Sequence, residues 1–106
     1  MDDDSVFRAL ADASRRQLLD RLHQANGQTL GELCDGLRMT RQAVSKHLAI
    51  LTECELLSQE QNGREIYYHI NATKMREVAD FIEPFRKMWD DRFNKIEAIM
   101  KKYKTK

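Results

Sequence analysis

Proline occurs once and glycine four times in this chain of 106 residues, which excludes a collagen-like or proline-rich linker and leaves long helices free to form. Cysteine is nearly absent. Cys34 and Cys54 stand outside any CxxC or repeated Cys/His spacing, so neither a disulfide framework nor a zinc knuckle is expected and both are read as reduced thiols. Long hydrophobic runs are missing too: the longest stretch without Asp, Glu, Lys or Arg is Leu22 to Gly31, far below the roughly 18 apolar residues of a membrane span. The opening Met-Asp-Asp-Asp lacks the basic flank of a secretory leader, and the expectation is a cytoplasmic protein with no membrane partner. Nor does one charge dominate. Eighteen basic and 17 acidic residues leave a net charge of +1, so any nucleic-acid binding must come from local patches.

What is present is the composition of a single folded domain, 42% hydrophobic and 33% charged. The charge balance shifts along it. Residues 71–106 carry 10 Lys/Arg against 6 Asp/Glu, whereas 1–70 carry 8 against 11. Val6, Leu10, Leu18, Leu19 and Leu22 recur at helical spacing and predict two helices between Ser5 and Gln24, the second capped by Ser14 and stopped at Asn26-Gly27. Thr29-Leu30-Gly31-Glu32 is a capping box that predicts a third helix from Leu30 to about Gly36. Three residues later Thr40 opens a helix to about Thr52, and two helices joined so tightly suggest a helix-turn-helix at about 30–52.

Next, Leu56 to Gln61 and Arg64 to Ile70 flank Asn62-Gly63 and predict a β-hairpin at about 56–70. A two-residue turn at Asn62-Gly63 sets Arg64 opposite Gln61, Tyr68 opposite Leu57 and Glu60 against Glu65. It also puts Ile66, Tyr68 and Ile70 on a buried face. From Thr73 to Tyr103 an amphipathic helix repeats Ile82, Phe85, Trp89, Phe93, Ile96 and Met100 every three or four residues. Pro84 should kink or restart it near Glu83.

On the helix opened by Thr40, Val44, Leu48 and Leu51 form an apolar stripe, while Arg41, Gln42, Ser45, Lys46 and Ala49 share another face. No carboxylate interrupts Thr40 to Thr52. Arginine and lysine can donate to guanine O6 and N7, and glutamine can pair with adenine N6 and N7. The same face also suits an ordinary solvated helix. Arg64, just past the hairpin tip, is placed to reach a minor groove or a phosphate. His47 is a secondary candidate for phosphate contact, and equally a residue at a packed boundary. The stripe from Ile82 to Met100 suits a dimer seam better than an effector pocket. His23, His47 and His69 form no metal or catalytic spacing, and no Ser/His/Asp arrangement or glycine-rich phosphate loop is visible, so no enzyme and no cofactor are expected.

Together Val6-Phe7-Arg8-Ala9-Leu10-Ala11-Asp12, the Ala43-Val44-Ser45-Lys46-His47-Leu48 core of the helix-turn-helix, and Gly63-Arg64-Glu65-Ile66-Tyr67-Tyr68 carry a likeness. From Ser5 to about Lys102 the chain resembles the ArsR family of winged helix-turn-helix transcriptional repressors. The resemblance implies one mostly α domain over 1–106 with a β-hairpin wing. It also implies a homodimer held by the first helix, through Val6, Phe7 and Leu10, and by the last, at about 73–103. A double-stranded DNA operator would be read by Thr40, Arg41, Gln42, Ser45, Lys46 and His47, with Arg64 on the wing.

Two departures matter. Ala13 stands where many relatives have proline. Relatives similar to arsenic and cadmium sensors carry Cys-x-Cys at the start of the third helix, where this chain has Thr29 and Gly31. Only Cys34 coincides with a further cysteine of some relatives, and one thiol cannot build a closed thiolate site. Other relatives bind zinc through Asp and His on the last helix, but no histidine follows Thr73. No metal is expected, and Cys34 and Cys54 are read as buried core residues. A Cys34–Cys54 redox switch would require Cα atoms within about 7 Å. The remaining rivals are a ligand- or redox-responsive sensor on the same fold and a winged-helix protein-interaction module.

Overall fold

Asp12 divides the first two helices in the computed structural model, which describes residues 3–104. It adopts an extended backbone after α1 (Asp3–Ala11), and its carboxylate accepts the Arg15 N–H at 3.1 Å to cap α2 (Ala13–Gln24). This corrects the cap expected at Ser14. Both side chains can cap, but Asp12 also has the Arg15 guanidinium at 4.0 Å, which a serine hydroxyl could not match. Glu32 N–H donates to the Thr29 hydroxyl at 3.2 Å and Thr29 N–H to the Glu32 carboxylate at 3.0 Å. The expected capping box thus starts α3 (Leu30–Cys34), which ends at Asp35 short of Gly36. Thr40 then caps α4 (Arg41–Glu53), accepting the Ala43 N–H at 3.1 Å.

Two compact units divide the chain, residues 1–75 and 76–106. The core of the first is built from one stripe of each helix: Val6 and Ala9 of α1, Leu18, Leu19 and Leu22 of α2, Leu33 of α3, and Val44, Leu48 and Leu51 of α4, closed by Cys54, Leu56 and Leu57. Six of these leucines, Leu18, Leu22, Leu33, Leu48, Leu51 and Leu56, have no exposed surface, and each stabilises the fold by about 1.5–3 kcal/mol. Cys54 is buried, but Cys34 is only half-buried, because α3 ends at that residue and leaves its side chain beside the turn.

At the end of α4 the Leu56 N–H donates to the Leu51 carbonyl and the Glu55 N–H to that of Thr52, both at 3.0 Å. These are the two bonds of a Schellman cap. Its left-handed position is filled by Glu55 at φ +68°, where glycine is the usual choice.

Beyond the cap, β2 (Leu57–Asn62) and β3 (Glu65–Ile70) pair antiparallel, with Asn62 opposite Glu65, Gln61 opposite Ile66, Glu60 opposite Tyr67 and Leu57 opposite Ile70. The register is therefore one that the Asn-Gly signal misplaces. The two turn residues are Gly63 and Arg64, with glycine at the first central position at φ +66°, the position glycine takes in a type II′ turn. Glu60 consequently faces a tyrosine and not Glu65. A third strand missed in the sequence, β1 (Gln28–Thr29), pairs with β3 at Tyr67 and Tyr68, giving the order β1-β3-β2. Tyr67, Tyr68, His69 and Ile70 are all half-buried and Ile66 is 40% exposed. The expected split into one buried and one open face fails because the sheet meets the domain at its base and leaves it toward the tip.

Asn71 accepts the Lys74 N–H at 3.3 Å through its side chain and so opens α5 (Ala72–Lys104). Pro84 lies inside this helix, which continues without the expected restart. A proline forfeits the bond its own amide would make and its ring crowds the carbonyl four residues back, a local cost that does not by itself end a helix. Around it the helix is solvated, with residues 79–102 exposed, so water can serve the freed carbonyl. The elements compose a mostly helical winged helix-turn-helix with a small antiparallel wing. No helix among the described residues is long and apolar enough to cross a membrane.

Candidate nucleic-acid interface

Burial of Val44, Leu48 and Leu51 at 0% exposure fixes which way α4 can turn the rest of its side chains. Arg41, Gln42, Ser45, Lys46 and Ala49 are all exposed, and with Leu30 of α3 they line a single surface concavity. Glu53, at the far end, is the helix's one carboxylate. The result is a ridge of two cations, an amide and a hydroxyl, with the small Ala49 leaving room for close approach. Thr40 stands exposed at its N-terminal end, where its oxygen is already committed to the Ala43 amide.

A neighbouring depression is lined by Thr29, Gly31, Arg41, Arg64, Glu65 and Tyr68, among others. It joins the start of α3, the start of α4 and the wing, and Arg41 belongs to both hollows. Two arginines at one depression make a basic corner that suits a phosphate or base edge. Glu65 tempers that charge. Its carboxylate accepts the Tyr67 hydroxyl at 2.9 Å, and this bond to a negative neighbour pushes the tyrosine's pKa up.

His47 lies apart from the ridge. It is half-buried on the flank of α4, with Nδ1 3.3 Å from Nη1 of Arg15. Arg15 escaped the sequence reading because the contact joins residues 32 positions apart, and no local pattern encodes such a pair. Glu65 was likewise not read as a neighbour of Arg64 and Arg41. Near Arg15, the Asp12 carboxyl is held below the usual carboxylate range, first by the Arg15 backbone N–H and then by the positive charge nearby.

The residues expected at a dimer seam divide. Ile82, Phe85, Trp89, Phe93, Ile96 and Met100 are each 43–61% exposed on α5, joined by Phe81, Met88 and Ile99, which the sequence reading passed over. Their rings touch along the helix, Phe81 with Phe85 at 5.7 Å and Trp89 with Phe93 at 6.1 Å between centroids. Arg86 bridges Glu83 and Asp90 at 2.7 and 2.8 Å. That pairing lowers the Glu83 pKa and raises that of Arg86. On α1, Phe7 and Leu10 are half-buried. Val6 is 2% exposed; it belongs to the core of its own chain and has no surface left to offer a partner.

Among the described residues no group of three or more His, Cys, Asp or Glu side chains is placed to hold a metal ion. The Thr29 hydroxyl is occupied by the capping box, and Gly31 has no side chain.

The helix-turn-helix domain family model matches residues 10–60. The chain is 31% identical to the transcriptional repressor SdpR of Bacillus subtilis over 81 residues, covering 76% of this chain and 89% of that protein. It is also similar to the solved structure of an ArsR-like transcriptional regulator from Rhodococcus sp. RHA1, with 35% identity, a TM-score of 0.70, and coverage of 91% of this chain and 90% of that one. The fold is shared with a homodimeric winged helix-turn-helix DNA-binding domain from Mycobacterium bovis at 23% identity and a TM-score of 0.64, covering 79% of this chain and 77% of that one.

Proposed function

The chain belongs to the ArsR family of winged helix-turn-helix transcriptional regulators, and from that premise we propose that it acts in the cytoplasm as a homodimeric repressor occupying an inverted-repeat DNA operator. The observation that carries this reading is the ridge of Arg41, Gln42, Ser45 and Lys46, exposed together on a helix whose opposite stripe is locked into the core. Entering a major groove, Arg41 and Lys46 donate to guanine O6 and N7, Gln42 pairs with adenine, and Ser45 serves either a base or a phosphate. Arg64 at the wing tip anchors the backbone or minor groove alongside, and the Arg41 it neighbours links wing to groove. Dimerisation follows from the apolar face of α5, with Phe7 and Leu10 of α1 as its second element. Bound at an operator, such a dimer blocks polymerase by occupancy, without enzymatic chemistry.

Selection of bound duplexes from random DNA tests the reading. Enrichment of an inverted repeat, bound with an affinity that falls steeply with salt, is the expected outcome. Recovery of no preferred sequence, with no salt-dependent binding, would instead favour a protein-interaction module.

A further inference from the structure

Two residues of the α4 concavity differ in kind from their neighbours. Arg41, Gln42, Ser45 and Lys46 bring hydrogen-bonding side chains to it, but Leu30 of α3 and Ala49 complete its lining. Gln42, Ser45, Lys46 and Ala49 recur three and four positions apart and so share one helix face. Leu30 comes from a different element. Its backbone is held in place, because Thr29 before it pairs with Tyr67 of β3 and also makes the capping box with Glu32. Leu33, three residues on, has no exposed surface, whereas Leu30 is only half-buried and lines both the concavity and the depression beside the wing. A large apolar side chain is thus kept at the surface, next to Ala49, inside a rim of cations, an amide and a hydroxyl.

We propose that Leu30 is a specificity-determining residue: with Ala49 it forms an apolar spot that receives the C5 methyl group of a thymine in each operator half-site. This inference rests on the DNA reading above, and it adds a base feature that none of the hydrogen-bonding side chains of the ridge can recognise. The chemistry leaves one candidate. Of the recognition groups that the four base pairs present in the major groove, the thymine methyl alone is apolar, and the others are hydrogen-bond donors or acceptors. A polar base edge set against Leu30 would lose water without gaining a partner. The spot therefore rejects the other bases as well as favouring thymine. Gln42 on the same face is suited to adenine, so amide and leucine together favour A·T pairs.

The test uses the full chain and a duplex enriched from random sequence, in which deoxyuridine replaces thymine at one position of both half-sites at a time. The swap removes a methyl group and leaves every hydrogen-bonding group of the base in place. At one position wild type should bind about fifteenfold more weakly, from about fourfold for each of two buried methyl groups. Leu30→Ala should lose affinity for the thymine duplex and treat thymine and deoxyuridine there alike within about twofold. A leucine with a merely structural role would lower both affinities equally and keep their ratio. Leu30 lies outside the buried core, so the variant should fold. If circular dichroism shows otherwise, Ala49→Ser, which sets a hydroxyl against the methyl, decides in its place by the same ratio. Enriched half-sites without thymine, a wild type indifferent to deoxyuridine at every position, or a ratio unchanged in the folded variant would overturn the inference and leave the DNA reading intact. A wild type that binds no duplex overturns both.

Discussion

Glu55 holds its carboxylate 3.8 Å from the Nζ of Lys74 while occupying a left-handed backbone position, and the lysine it faces is only 5% exposed. Two opposing terms meet at one residue. A left-handed conformation costs a non-glycine residue about 1–2 kcal/mol, whereas the carboxylate offsets the burial of an ammonium group. Since Glu55 itself is 72% exposed, solvent screens much of that attraction.

We therefore expect Glu55→Gly to be a context-dependent substitution. In a Lys74→Met background, where no cation remains to be matched, it should raise stability by about 1 kcal/mol through relief of the backbone. In the wild-type background the gain should be smaller, and the difference measures the pair. Urea unfolding of the four proteins gives both numbers. Equal gains in both backgrounds would show that the ion pair contributes nothing.

The glycines of the β-sheet region separate two causes of glycine dependence. Gly27 and Gly63 share a positive φ, +76° and +66°, but an added Cβ at Gly27 would lie 2.9 Å from Cε1 of His69, whereas none at Gly63 would meet an atom within 4 Å. Gly63→Ala should then cost about 1 kcal/mol of backbone strain alone. Gly27→Ala should cost clearly more, because the β1 connection must also shift away from the β3 histidine. Thermal unfolding of the two variants checks the order, and a milder Gly27→Ala would contradict this packing.

The contrast between what the sequence announced and what it hid follows the range of the interactions. Thr29 with Glu32, Thr40 with Ala43, and the stripe Val44, Leu48 and Leu51 are contacts within one helical turn or one helix, and spacing alone reveals them. The exposed ridge Arg41, Gln42, Ser45 and Lys46 follows from that stripe by geometry. Choosing Asp12 over Ser14 as a cap needed the third dimension, since both residue types serve. The hairpin register needed it too: β1 pairs at Tyr67 and Tyr68 from two residues, too short to show periodicity. Arg15 with His47 lay beyond reach altogether, for neither helix carries a mark of the other.

Base contacts and phosphate contacts should separate in mutants of the ridge and wing. Arg41→Ala or Gln42→Ala should change the preferred sequence, losing about 1–3 kcal/mol of discrimination at one position of each half-site. Arg64→Ala should weaken binding to all sequences alike and lower the salt slope by about one if it holds a phosphate. Repeating the random-DNA selection with each variant, beside salt titrations, distinguishes these outcomes. No change in any of the three would remove the ridge from consideration as a reading surface.

Metal response has a simple expectation, because Thr29 spends its hydroxyl on the α3 cap and Gly31 offers no ligand atom. Zinc, cadmium and arsenite should leave operator binding unchanged, and Cys34→Ser should bind DNA as wild type does. A thiolate site would need more donors than Cys34 supplies. Stoichiometric metal uptake at micromolar concentration, releasing DNA from wild type but not from Cys34→Ser, would refute this expectation.

Trp89 tests the assembly. It is 53% exposed amid Phe85, Phe93, Ile82, Ile96 and Met100, all more than two-fifths exposed on the same helix. So much apolar surface on one element marks an interaction face, and a two-fold dimer would bury it against its own copy. Trp89→Glu places a carboxylate in that seam twice, once from each subunit, because symmetry repeats every substitution. Burying two unpaired charges costs several kcal/mol, so the dimer should weaken by about a thousandfold or more. The subunit itself should stay folded, since Trp89 takes no part in the leucine core of residues 1–75. Loss of dimer also removes the paired spacing of two α4 helices, about 34 Å apart, that an inverted repeat requires. Sedimentation velocity, circular dichroism and operator titration together give the answer: a dimeric wild type at micromolar concentration, and a folded Trp89→Glu monomer that binds single half-sites weakly. If wild type sediments as a monomer, or the variant binds the full operator as tightly as wild type does, α5 has another role.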